Sequence, residues 1–85
     1  MEHEIVLNYD ADCNRISVDM QAPAGSSCPS FGFVAAILDP GEVNPMLHLS
    51  VPLGVNAVTR ILVALDGWRA ERQLPPARGR EANHA

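Results

Sequence analysis

Three groups of side chains in this sequence have residue types and spacings that chemistry uses. The first is Asp10-x-Asp12-x-Asn14. Oxygen ligands at alternate positions around a tight turn are what a calcium loop requires. The match then stops, because Arg15 stands where the turn glycine belongs and Gln21 where the bidentate Glu belongs. A guanidinium beside the ligands opposes a cation. These residues are expected to form the polar tip of a hairpin.

The second group is Cys13, Cys28 and His48, three potential zinc ligands. A structural zinc site takes four ligands, usually in pairs two to four residues apart, and no such pair occurs here. His3 and His84 lie close to the two ends of the sequence. The third is a Cys–His pair for nucleophilic catalysis, which needs a thiolate in an electropositive setting. Cys13 instead sits beside Asp10 and Asp12, and Cys28 has no basic residue within ten positions. The acids Asp39 and Glu42 belong to a turn-rich stretch, and no glycine-rich phosphate loop is present. The expectation is therefore a protein that is not an enzyme, with no cofactor and no metal.

The elements that must position these residues follow from periodicity. Ile5, Leu7 and Tyr9 alternate with Glu4, Val6 and Asn8. After the polar tip, Ile16, Val18 and Met20 alternate with Arg15, Ser17, Asp19 and Gln21. Two period-two runs around a polar turn predict a β-hairpin. Residues 22–30 hold Pro23, Gly25 and Pro29 and predict a loop. Phe31 to Leu38 is apolar at nearly every position, as in a strand covered on both faces. Asp39-Pro40-Gly41-Glu42 is turn chemistry, with Pro-Gly suited to a type II turn. Met46 to Val51 alternates again, with Leu47, Leu49 and Val51 inward, and predicts a fourth strand.

From Gly54 to Arg72 the period changes to that of a helix. Ala57, Val58, Ile61, Leu62, Ala64, Leu65 and Trp68 fall on one stripe, with Asn56 as the expected N-cap. Gly67 is a weak point or a site of close packing. Arg69 and Arg72 suit the negative end of the helix dipole, and Pro75-Pro76 stops continuation. The predicted fold is α+β: a meander-like four-stranded antiparallel sheet in the order ββββα, with one amphipathic helix on one face. Residues 1–72 form the single domain and 73–85 a disordered tail.

Charge and composition bound the partners. The chain has 85 residues and a net charge of −4. Residues 1–50 carry Glu2, Glu4, Asp10, Asp12, Asp19, Asp39 and Glu42 against Arg15 alone. Such an acidic body argues against nucleic acid and anionic membranes. The start Met1-Glu2-His3-Glu4 lacks the basic region of a secretory signal, and no run of apolar residues spans a bilayer. A cytoplasmic protein is expected.

One helix can cover one sheet face only. Val6 and the outward members of the 31–38 strand, taken as Phe31, Phe33, Val34 and Ile37, are expected to remain as an apolar patch of the kind that marks interfaces. Asp10, Asp12 and Asp19 would orient a partner there. The expected function is that of a small acidic regulator, adaptor or inhibitor acting by protein–protein interaction, with another protein or a second copy as partner. A small-ligand or metal-binding module using the same face is the alternative reading.

Overall fold

The structure, a computed structural model, describes residues 3–27 and 29–75. The chain runs β1 (Glu4–Asp10), β2 (Arg15–Gln21), β3 (Gly32–Leu38), β4 (Met46–Leu49) and α1 (Val55–Glu71). The strands form one antiparallel sheet in the order β1-β2-β3-β4, with α1 following on one face. This is the meander and terminal helix that the alternation and the later 3.6-residue period predict.

The β1–β2 hairpin pairs Glu4 with Gln21 through to Asp10 with Arg15 without interruption. Its tip closes on Asn14, which adopts the left-handed region at φ 51°. Asn tolerates that region better than most residues. The Asn14 Oδ1 accepts a hydrogen bond from Tyr9 Oη at 3.0 Å, and the Asp12 amide donates to Asp10 Oδ1 at 3.0 Å. The polar residues at 10–14 thus serve the turn.

In the loop from β3 to β4, the Glu42 amide donates to the Asp39 carbonyl at 3.0 Å. Gly41 is not in the left-handed region, so this is not the type II turn that Pro-Gly suggests. Asp39 takes the positive φ instead, at 52°, and its amide donates to the Asn14 carbonyl at 3.1 Å. The turn still spans Asp39 to Glu42, and the left-handed residue is its first, where β3 leaves the sheet.

The core lies between α1 and the face of the sheet formed by Ile16, Val18, Met20, Ala35 and Ile37, together with Val34, Ile61 and Leu65. Ile5, Leu7, Leu47, Leu53, Ala57 and Trp68 pack around it, half-buried. The helix starts at Val55 with Gly54 as its N-cap, and the Val58 amide donates to the Gly54 carbonyl at 3.1 Å. Asn56, the expected cap, lies inside the first turn. Gly54, already extended after Pro52-Leu53, takes the cap position without a side-chain bond.

The helix runs through Gly67, where an added Cβ would meet no atom within 4 Å. A glycine inside a helix costs about 1 kcal/mol relative to Ala. Gly67→Ala is therefore expected to raise stability by about 1 kcal/mol, readable as a higher denaturation midpoint in urea at unchanged slope. A lower midpoint would mean that this position packs against something.

At the far end, Gln73 to Pro75 fold back instead of leaving as a tail. The Leu74 amide donates to the Arg69 carbonyl at 2.9 Å, and the Pro75 carbonyl accepts from Arg69 Nε at 2.7 Å. The rest of the expected tail, 76–85, lies outside the described residues.

Candidate functional site

One irregularity decides which residues the open face presents. The β2–β3 ladder runs in register from Arg15–Leu38 to Val18–Ala35 and then shifts, so that Asp19 faces Phe33. Val34 is the extra residue of a β-bulge. A bulge re-aims the side chains that follow it. Without it, Phe33 would point the same way as Ala35 and Ile37. With it, Phe33 stands opposite Asp19 on the open face, 50% exposed, and Val34 turns into the core at 1%. Gly32, at φ +71°, begins the strand and allows the chain to enter it between two Phe residues.

The register then defines the open face row by row. Val6, Asp19 and Phe33 form one row. Asn8, Ser17, Ala36 and His48 form the next, and Asp10, Arg15, Leu38 and Met46 the last. The face has two halves. Over β3 and β4 it is mostly apolar, with Phe33, Leu38 and Met46 exposed, the last 62%, Ala36 nearly buried between them and His48 the polar member. Over β1 and β2 it is polar and acidic, with Glu4, Asp10 and Asp19, and Arg15 at one corner. No element among the described residues covers either half.

The expected site residues therefore divide. Val6, Phe33, Asp10 and Asp19 are brought together on this face, and Asp12 lies at the hairpin tip beside it. Val34 and Ile37 are not available to a partner. Ile37 is 0% exposed beneath α1, paired with Ile16 and Leu47. Phe31 is exposed but belongs to the other side of the sheet. Its ring stacks on His3 with centroids 4.7 Å apart, and it lines a small apolar groove with Val34, Val51, Pro52 and Leu53. Leu38 and Ala36 join the face without having been singled out. A run apolar at nearly every position gives no parity signal, so the bulge was not readable from it. Met46 was readable, as the outward member of an alternating strand.

Two further clusters are built on α1. Arg69 is 2% exposed. Its Nη1 donates to the carbonyls of Pro40 at 2.6 Å and Glu42 at 2.8 Å, and its Nε to that of Pro75. A guanidinium has five donors in a fixed fork, which suits a ring of carbonyls. The negative end of the helix dipole adds to the stabilisation of the buried charge. Arg69 thus ties the 39–45 loop and the chain after α1 to the helix. Near the same end, the Arg72 guanidinium lies 3.8 Å from the Trp68 ring centroid, and Trp68 packs against Tyr9 at 5.2 Å. This stack closes the sheet corner next to the hairpin tip.

The tip holds Asp10 and Asp12, but Asp10 Oδ1 is turned to the Asp12 amide and Asn14 is engaged by Tyr9 and Asp39. Among the described residues, no group of three or more His, Cys, Asp or Glu lies close enough to hold a metal ion. Cys13 is exposed at the tip, and Cys28 lies outside the described residues. No helix among the described residues is long and apolar enough to cross a membrane. No family model, curated protein or solved structure matches this chain.

Proposed function

We propose that this chain is a non-enzymatic, cytoplasmic binding protein, and that it docks another protein on the sheet face opposite α1. The observation that carries the reading is the bulge at Val34, which turns Phe33 out to solvent on the same face as Leu38 and Met46, two rows further along the strand. A large aromatic residue placed in water by a local distortion of its strand has no role in the core. Exposed apolar groups gathered on one surface and bordered by charge are what interfaces use.

The two halves of the face describe the partner. The apolar half over β3 and β4 fits an apolar contact surface. The acidic half over β1 and β2 (Glu4, Asp10 and Asp19) fits basic side chains beside that surface. Charge of this kind sets orientation and association rate more than affinity. A regulator, adaptor or inhibitor works in this way.

The test compares the wild-type chain with Phe33→Ser/Met46→Ser, two changes at exposed positions. A protein retained by the wild type from its own cell extract is expected to be lost with the double variant, because truncation of a central anchor costs about 2 kcal/mol or more, some thirtyfold in affinity. Association is also expected to slow as salt is raised. Retention by both chains alike would overturn the reading. A partner that proves to be a second copy would place self-association on this face instead.

A further inference from the structure

The sheet has two edges, and they are built differently. Edge strands carry unpaired main-chain groups, and proteins guard them with short strands, Pro, charge or bulges. The β4 edge is guarded: it spans four residues, Met46–Leu49, with Pro45 before it and Pro52 soon after. The β1 edge is guarded less. It runs seven residues, Glu4–Asp10, without Pro or a bulge and with charge only at its two ends, Glu4 and Asp10, in unbroken register with β2.

The direction of its main-chain groups follows from two hydrogen bonds. The Met20 carbonyl accepts from the Phe31 amide, and the Asn14 carbonyl from the Asp39 amide. Even-numbered residues of β2 therefore bond toward β3 and odd-numbered ones toward β1. Their partners on β1 are even-numbered, so Ile5, Leu7 and Tyr9 direct their N–H and C=O groups outward. Consistent with this, Arg60 of α1 reaches the carbonyl of His3, at the start of the same outward row. No side chain among the described residues bonds the outward groups of Ile5 or Leu7. The side chains of Ile5, Val6 and Leu7 are also only half-buried.

We propose that a second copy of this chain pairs with β1 through this edge, antiparallel, about a two-fold axis at Val6. In that register Ile5 of one copy exchanges two hydrogen bonds with Leu7 of the other, and again by symmetry. Val6 meets Val6 as the non-hydrogen-bonded pair, and Glu4 stands opposite Asn8. A register centred on Leu7 instead sets Glu4 against Asp10, a like-charge pair that opposes pairing. The contact is isologous, so it closes at two copies. The product is one continuous sheet of eight strands with both helices on the same side. Helical spacing puts Ala57, Ala64 and Gly67 on the Arg60 side of α1 together with Asn56 and Glu71, so the neighbouring helix meets small and polar residues. The two open faces become one surface, with an acidic centre between two apolar ends. The pairing uses the main-chain groups of β1, whereas the partner-binding reading rests on Phe33 and Met46 over β3 and β4; Val6 borders both, and either reading stands without the other.

Sedimentation equilibrium tests the pairing. The wild-type chain is expected at twice 9.1 kDa, and Val6→Arg, which sets two cations against each other at a half-buried position, at the monomer mass with an unchanged circular dichroism spectrum. A second test uses Val6→Cys with Cys13→Ser and Cys28→Ser. Opposed residues of a non-hydrogen-bonded pair have Cα atoms about 4.5 Å apart, within disulfide reach. Mild oxidation is expected to give a cross-linked dimer from Val6→Cys and not from Leu7→Cys. A monomeric wild type at high concentration, a dimer that survives Val6→Arg, or a Val6→Cys chain that does not cross-link would each overturn the proposal.

Discussion

Replacing Arg69 by Met is expected to lower the stability of the domain by about 3 kcal/mol. Arg69 donates to the carbonyls of Pro40, Glu42 and Pro75 from a site that is 2% exposed. Hydrogen bonds to a charged donor are worth about 1.5–3 kcal/mol each, and a buried acceptor left without a donor pays its full desolvation. Water at the loop surface recovers part of that loss, which is why the three bonds do not simply add. For a domain of this size, 1 kcal/mol moves the melting temperature by about 4–8 °C. A fall of roughly 12–24 °C follows on the same scale. Arg69→Lys is expected to recover less than half of it, because an ammonium is a point donor that cannot span three carbonyls. Calorimetry of the two variants checks this. A loss under about 1 kcal/mol with Met would mean that the 39–45 loop holds its place without the guanidinium.

The second large effect is a contrast between two neighbours on β3. Ile37→Ala is expected to cost about 3 kcal/mol, since truncating a buried Ile loses both transfer energy and the contacts around the cavity. Phe33→Ala, although it removes more atoms, is expected to stay within about 1 kcal/mol, because half of that ring is already in water. The midpoints of urea unfolding measure both. The order of the two values reports the bulge directly. If Val34 were not the extra residue, Phe33 and Ile37 would lie on the same face and both truncations would be costly.

These two predictions mark where the sequence was legible and where it was not. The hairpin was legible because Ile5, Leu7, Tyr9 and Ile16, Val18, Met20 alternate with polar residues, and a one-residue slip would turn the whole set to solvent. The helix was legible because its stripe has the period of 3.6 and ends in Pro75-Pro76. Strand β3 was legible as a strand, but its faces were not. Phe31 to Leu38 offers an apolar residue on either side at every step except Gly32, so no pattern announces which side faces α1. A bulge is a property of the pairing with β2, and Gly32 was its only local trace. That is why Val34 and Ile37 were expected on the open face and lie in the core.

Arg69 was legible only in part, as a cation in the last turn of the helix. On the helical wheel it looks like a cation placed for the dipole. Its burial depends on Pro40 and Glu42, about thirty residues away, folding over it with Pro75. The acids at the tip were read more closely. Asp10, Asp12 and Asn14 are residues whose side chains bond nearby main-chain groups in turns; Asp10 does so here, while Asn14 bonds the side chains of Tyr9 and Asp39. The division of the open face into an apolar and an acidic half needed the register, because Asp19 and Phe33 become neighbours only through it.

The most direct test of the binding face is a residue-resolved footprint. Amide spectra of the labelled chain would be followed as the partner retained from the extract is added. The account predicts that the largest changes fall on Phe33, Ala36, Leu38 and Met46, with Asp19 beside them, and that the exposed positions Thr59 and Val63 of α1 stay unmoved. Changes concentrated on α1, or on the groove at Phe31 and Val51, with Phe33 and Met46 unaffected, would contradict it.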